Sequence, residues 1–555
     1  MWRRTYLLLL LVRVYLALCP SYIHPDENFQ GPELFAGKPY SFSPLSLHQS
    51  QLIKPVPGRL FSFPSHLTWE FTSDTPIRSI FPLWLVYGLP MTLLKWLWAE
   101  TGSDIPNPPP QLVYHVLRLT MFLLSLILED WAIHELVPNP RRRRQAVVLV
   151  ASCYVTWTYQ THTFSNSLET LLVLWSLVLI QRVVENKCLI SLTSTYHLYT
   201  YIYIYILTTD RPLSLISLAF FGLLFSFFAI AIDTAFYTLP DSLSAFIRNP
   251  TITPLNNLLY NSDSSNLASH GLHPRYNHLL VNLPLLLGPA YLVSIWSLFT
   301  RGMVSPTFHT RNTRAYSALF GALIISLFPH QEARFLLPCV PLLLTCFKPP
   351  RSRTFLAGWI VFNCTLGALM GIYHQGGVVP AQIHIPTLLS DSLQPSQQPP
   401  VNVSVLWWKT YSPPYWLVGD GSNTAAFSIT THDLKGMASG EFINRTVSSI
   451  PRCTRDSNPF EFYQGLPKVK VEGGDMTLLV APRSASFLDR FVVPDGGEDE
   501  SADVPSREIR LHKLWQYDRH VNMDDFDPGD DGLWGAVERV FGRHGLVIWL
   551  VTRPC

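Results

Sequence analysis

"LVYHVLRLTMFLLSLILEDWAIHELVPNPRRRR" (residues 112–144) holds a long apolar run, then a Pro-Asn-Pro break, then four consecutive arginines. A run of this length is enough to cross a bilayer as a helix. Arginines clustered beside the end of a span stay on the cytoplasmic side. The stretch therefore sets the class of the protein, a polytopic helical membrane protein. It also gives an orientation from which the rest of the chain can be threaded.

Working back towards the N-terminus, Arg3 and Arg4 precede an apolar run that starts near Tyr6. Read as a signal anchor, it keeps the arginines cytoplasmic and delivers "SYIHPDENFQGPE" (residues 21–33) to the far side. The same layout, ending in "ALC", is also that of a secretory signal peptide. Residues 80–97 are apolar but contain Pro82, Pro90, Lys95 and two tryptophans. If they crossed, the four arginines would fall on the wrong side, so they are expected to form an interfacial or re-entrant helix.

Working forward, crossings are expected at 146–159, 168–180, 213–235, 279–299, 315–328, 335–347 and 355–373. Connections on the cytoplasmic side are basic: Arg182 and Lys187, Arg301, and "KPPRSR" before residue 354. Beyond about residue 375 the long apolar windows stop. The expected organisation is a multi-span membrane domain over 1–375 and a polar lumenal domain over 376–555, of α/β or α+β type. Sequons at Asn402 and Asn444 agree with a lumenal tail. The net charge of +2 argues against nucleic acid as a partner. The eight cysteines show no CxxC and no zinc spacing; Cys453 and Cys555 in the tail are candidates for a disulfide.

The threading gathers the polar clusters on one face. In "HPDE", the carboxylates Asp26 and Glu27 have the type of a general base for a displacement at a sugar carbon. A phosphate leaving group then needs no strong acid. Pro25 followed by two acids is also an ordinary helix start. In "FPHQEARFLLP" (residues 328–338), Arg334 and His330 could hold a phosphate, or Arg334 could simply pair with Glu332. Residues 256–284 are rich in Asn, Ser, His and Tyr, side chains that match sugar hydroxyls. A metal set from His270, His273 and His278 is disfavoured because Pro274 breaks a regular ligand face. In "FSNSLET", Asn166 or Ser167 is expected to cap a helix with Glu169 in its first turn. Residues 527–538 look like a calcium loop, but Gly529 falls where a ligand belongs, so an acidic turn is expected.

"HPDE" after the first helix, "FPHQEARFLLP" further on, and "TWEFT", "RSIFPLW" and "HGLHPRYNHLLVNLPLLLGP" between them resemble the dolichyl-phosphate-mannose-dependent mannosyltransferases. Within that family they look most like the branch that adds a fourth mannose to the glycosylphosphatidylinositol (GPI) precursor. The resemblance covers most of the chain. It implies a GT-C helical bundle with a large first lumenal loop, in the endoplasmic reticulum membrane, with the active site facing the lumen. The implied donor is dolichyl phosphate mannose and the implied acceptor is the GPI glycolipid. The implied reaction is inverting α-1,2 transfer to its third mannose, with no metal and no cofactor. On this reading Asp26 is the base, with Glu27 and His24 orienting it or the acceptor. Arg334, His330 and Glu332 form the donor-phosphate site. Asn256, Asn257, His273 and Tyr276 are candidate sugar contacts. The third-mannose enzyme of the same pathway and the N-glycan branches are the neighbouring alternatives. One stretch departs from the family pattern: residues 191–212, "SLTSTYHLYTYIYIYILTTDRP", alternate like a strand. A transporter or a non-catalytic scaffold is the reading from another class. Transporters place their polar groups near the midplane, often in repeated halves, whereas here they gather at one face.

Overall fold

The computed structural model describes residues 2–39, 60–190, 212–238, 243–268, 271–301, 313–393, 400–422, 426–450, 460–463, 466–469, 475–493 and 509–553. The expectations for residues 191–211, His270, Cys453 and Cys555 lie outside them. The chain is mostly helical, with a small mixed sheet near its C-terminal end.

The first helix, Trp2–Leu18, packs against Pro110–Leu136. Arg13 Nη2 donates to Ser125 Oγ at 2.6 Å and to Glu129 Oε2 at 3.2 Å, and the Tyr6 hydroxyl donates to Asp130. At the other end, Arg118 donates to the carbonyls of Leu16, Ala17 and Cys19 at 3.2–3.3 Å. These are orphan acceptors of a helix C-terminus, and a cation there also opposes the helix dipole. The two helices are thus antiparallel. Arg3 and Arg4 lie at the same end as the arginines at 141–144, and "HPDE" emerges at the opposite end. Arg13 and Glu129 are both buried. Truncating one member of such a pair costs about 3–5 kcal/mol, because the other charge is left uncompensated. The outer faces carry exposed Leu7, Leu8 and Leu11 on one helix and Leu119, Leu123 and Ile127 on the other. Backbone satisfied within helices and apolar rows facing outward fit a lipid surround.

Among the described residues, four helices are long and apolar enough to cross a membrane: Ile80–Glu100, Pro110–Leu136, Ala219–Thr238 and Arg353–Tyr373. A fifth would be the pair Tyr154–Thr161 and Ser165–Arg182, bent by 113°. The re-entrant alternative for residues 80–97 is not what forms, because the chain runs there as one continuous helix with a π-turn at Trp84–Gly88. Its length alone would allow a crossing. Its contacts, however, keep it at the "HPDE" end. The Ile80 amide donates to Asp233 at 2.8 Å, Tyr87 packs on Gly31, and Lys95 donates to the Leu60 carbonyl. Residues 101–109 then lead into Pro110 at that same end. These contacts fit the interfacial alternative.

Two expected crossings are broken helices. In place of a span over 146–159, helix Pro140–Ala151 ends at Ser152 and a short helix Tyr154–Trp157 follows. The Tyr154 amide freed by the break bonds Asn363 Oδ1 at 2.8 Å. Residues 279–299 break at Gly288, where φ is +49° and a β-carbon would lie 2.5 Å from the Phe362 ring. Glycine alone suits that conformation.

The sheet has the order Phe427–Asp433, Val401–Trp407, Asp475–Pro482, Leu546–Thr552, Arg510–Tyr517. The first two neighbour pairs are parallel and the last two antiparallel. Alternation along Val401–Trp407 sends Val401, Val403, Val405 and Trp407 to one face, where they share a core with Val378, Leu389, Phe63 and Met91. Leu406 and Trp408 belong to a second core on the other face. The sheet is therefore fixed against the helical part, over the "HPDE" end.

Candidate active site

"HPDE" forms a single helical turn, Asp26–Phe29, with Pro25 at its N-cap and no side-chain cap. Asp26 is thus not consumed in capping, and the helix-start reading leaves its carboxylate free for other work. Successive residues on a helix diverge by about 100°. Asp26 accordingly turns outward, its side chain 23% exposed, while Glu27 turns inward and is 2% exposed.

Asp26 Oδ2 accepts from Arg334 Nη1 and, at 2.6 Å, from Gln30 Nε2. Its Oδ1 lies 3.5 Å from His24 Nδ1. Arg334 Nε donates to Glu332 Oε2, and His330 Nε2 lies 2.9 Å from Glu332 Oε1. "HPDE" and "HQEAR" are thus brought into direct contact across 308 residues of sequence. Burial alone would raise the Glu332 carboxyl, but hydrogen bonding from His330 and the charge of Arg334 outweigh it and hold it well below the usual range. Its hydrogen bond to Glu332 raises His330, while burial lowers His24. The segment is pinned by Gln331, which is buried. Its Oε1 accepts the His278 amide at 2.9 Å, and its Nε2 donates to the carbonyls of Ser326 and Phe328.

Glu27 lies beneath this surface against His162 Nδ1, with Arg118 Nη1 4.0 Å from Oε2. His162 Nε2 lies 3.2 Å from Ser21 Oγ. Burial pushes the Glu27 carboxyl up to about 8 and His162 well down. Burial thus disfavours charge on both members of the contact. A polar chain also extends sideways from Asp26. Gln30 Nε2 reaches Glu70 Oε1 at 3.4 Å, and that oxygen also takes Arg78 Nη2 at 2.8 Å and Arg78 Nε at 3.1 Å.

The third cluster divides. His273 joins the site, its ring 6.2 Å from that of His330. Asn256 donates to the Pro76 carbonyl at 2.9 Å, and Asn257 accepts from Asn261 Nδ2 through its backbone carbonyl and its Oδ1. Tyr276 is more than half exposed on the outer surface. Helix Ser165–Ile190 starts one residue before Asn166, so Asn166 is not its cap and instead donates to Glu169 at 3.2 Å. Asp527 caps a short helix by accepting the Gly529 amide, in keeping with an acidic turn. Asn402 and Asn444 are exposed in the sheet domain. Among the described residues no group of three or more His, Cys, Asp or Glu could hold a metal ion.

The model of the Alg9-like mannosyltransferase family matches residues 51–418. The chain belongs to that family. The match takes in His330 to Arg334 and begins after Asp26. Full-length relatives cover both. A protein named GPI mannosyltransferase 4 from Emericella nidulans is 48% identical, over 100% of this chain and 99% of its own length. Its namesake from Aspergillus oryzae is 49% identical over the same shares. That from Saccharomyces cerevisiae is 34% identical, over 96% of this chain and 98% of its own. No solved structure matches. Membership makes this chain a membrane mannosyltransferase. Gln30, Glu70, Arg78, Arg118, His162 and Gln331 belong to the same network of contacts, and the sequence alone did not single them out. Glu70 and Arg78 stand within "TWEFT" and "RSIFPLW", but no spacing singles them out, and His162 lies outside every such motif.

Proposed function

We propose that this mannosyltransferase moves mannose from dolichyl phosphate mannose to the third mannose of the GPI precursor, by inverting α-1,2 transfer at the lumenal face of the endoplasmic reticulum. The observation that carries the reading is the Asp26–Arg334 contact beside Glu332 and His330, a base candidate and an anion-binding cluster at one end of the bundle. The names of the full-length relatives support the acceptor. Asp26 accepts the proton of the attacking hydroxyl, and Arg334 and His330 hold the donor phosphate. Glu332 keeps Arg334 and His330 in place. Glu27, buried against His162 and beside Arg118, orients the turn that carries Asp26.

In-line displacement sets a condition on this site. The base sits about 2.6–3.2 Å from the attacking hydroxyl, which lies roughly 3 Å from the sugar carbon, with the phosphate on the opposite side. A base and a phosphate-holding guanidinium therefore stand apart during transfer. The Asp26–Arg334 pair must part as the donor enters, freeing Oδ2 of the base in the same movement.

The test is the lipid-linked glycan that accumulates in cells lacking the chain. A GPI precursor with three mannoses is expected, cleared when the chain is restored. Accumulation of a two-mannose form, or of a truncated N-glycan precursor, would assign the protein to a neighbouring branch.

The orientation has its own test. Endoglycosidase should remove glycans from Asn402 and Asn444, and a cysteine placed within residues 141–144 should be labelled only from the cytoplasmic side. Lumenal labelling there would require Ile80–Glu100 to cross and would overturn the threading.

A further inference from the structure

Beside Asp26, and outside the groups assigned to catalysis, lies a second cluster. Trp69 and Tyr260 approach with ring centroids 4.7 Å apart and planes tilted by 32°. Trp69 is 40% exposed although it stands at the "HPDE" end, next in sequence to Glu70. Among the described residues, Glu70 Oε1 takes the three donors that reach this carboxylate, two from Arg78 and one from Gln30. Among the described residues, Glu70 Oε2 and Arg78 Nη1 have no hydrogen-bond partner. Trp69 and Glu70 are consecutive residues of the turn Trp69–Thr72, so an aromatic face and the Glu70–Arg78 ion pair come from one short segment. The Gln30 amide links Glu70 to Asp26, at 3.4 Å from the first and 2.6 Å from the second.

The surroundings suit a ligand that arrives along a membrane. Tyr260 is carried by helix Thr253–Ser262, whose Leu255, Leu258 and Leu259 are exposed while Asn256 is bonded to Pro76. Such a helix, apolar outward and polar towards the protein, lies at an interface. Its polar face looks onto residues 69–78. A hexose offers an apolar face of C–H groups and a rim of hydroxyls that both donate and accept. The first matches an indole, and the second matches a carboxylate beside a guanidinium.

We propose that Trp69 and Tyr260, with Glu70 and Arg78, form the subsite for the acceptor glycan. They would hold a mannose of the acceptor next to the one whose hydroxyl faces Asp26. This rests on the reading of the protein as a transferase to a lipid-anchored glycan, and it adds where that glycan binds.

Contacts to a sugar that does not react are made equally in the ground and transition states. Their loss raises KM and leaves kcat in place. The experiment measures initial rates in membranes containing the full chain, varying dolichyl phosphate mannose and a trimannosyl GPI precursor separately. Trp69→Ala is expected to raise the acceptor KM by about tenfold or more with the donor KM and kcat unchanged. Trp69→Phe should recover part of it, and Arg78→Lys should raise the acceptor KM alone. An unchanged acceptor KM in Trp69→Ala at normal abundance would overturn the subsite, as would equal rises for both substrates, which would make Trp69 a membrane contact. If the unsubstituted chain fails to use the trimannosyl acceptor, the functional reading itself fails. That outcome is separate from the behaviour of the variants. Should Trp69→Ala not accumulate, the Trp69→Phe and Arg78→Lys pair decides by the same criterion.

Discussion

Replacing Asp26 by asparagine is expected to lower mannose transfer by about 10²–10⁴-fold while the protein accumulates normally. The amide is nearly isosteric and cannot take up a proton from the attacking hydroxyl. Its oxygen can still accept from Arg334 and from Gln30, which Asp26 engages through Oδ2. Arg334 also keeps its contact to Glu332, so no charge is stranded and the fold is spared. The kinetics separate two roles. Loss of a base appears as a fall in kcat with the substrate KM values unchanged. Loss of a mere partner for Arg334 would appear as a raised donor KM with kcat intact. Glu27→Gln is the comparison, since its side chain is buried on His162 and does not reach the surface that Asp26 faces. Full activity of Asp26→Asn at normal abundance would remove the carboxylate from the chemistry altogether.

Much of the architecture could be read from apolar runs. The antiparallel pairing of the first helix with Pro110–Leu136 follows the arginine signals at 3–4 and 141–144, because charge at a span end is a local property of the chain. The breaks were not legible in the same way. Hydrophobicity continues through Ser152 and Cys153, and the bond that satisfies the freed Tyr154 amide comes from Asn363, more than two hundred residues away. The site shows the same division. Asp26, His330, Glu332 and Arg334 stand out because ionisable groups beside apolar runs are costly. His162 and Glu70 do not, since their meaning lies in contacts to Glu27 and Gln30 that no spacing encodes. Asn256 shows the converse. Its amide has the chemistry for a sugar hydroxyl, yet a backbone carbonyl at Pro76 takes the same donor. Residue type fixes what a group can bond. The fold decides which of the equivalent acceptors it meets.

Arg334→Lys preserves the charge and is nevertheless expected to reduce kcat/KM for dolichyl phosphate mannose by about 10²-fold, with the donor KM raised. Arg334 works through its shape. Nε is committed to Glu332, Nη1 to Asp26, and Nη2 has no partner among the described residues. The planar fork can therefore stay anchored on Glu332 while its outer edge turns from the Asp26 carboxylate to a phosphate. The guanidinium carbon also lies 5.5 Å from the centre of the Phe335 ring, which supports that plane. Lysine offers one ammonium in place of three separated nitrogens. It can neutralise Glu332 or Asp26, but it cannot hold one as an anchor while presenting a two-point face to the donor. Phosphate charge grows as the sugar–oxygen bond breaks, so the missing donor is felt most in the transition state. Initial rates against donor concentration, at matched membrane abundance, give the answer. An unchanged donor profile in Arg334→Lys would mean that a point charge between Asp26 and Glu332 is sufficient. Arg334 would then be a structural ion pair, and the donor phosphate would have to be held elsewhere.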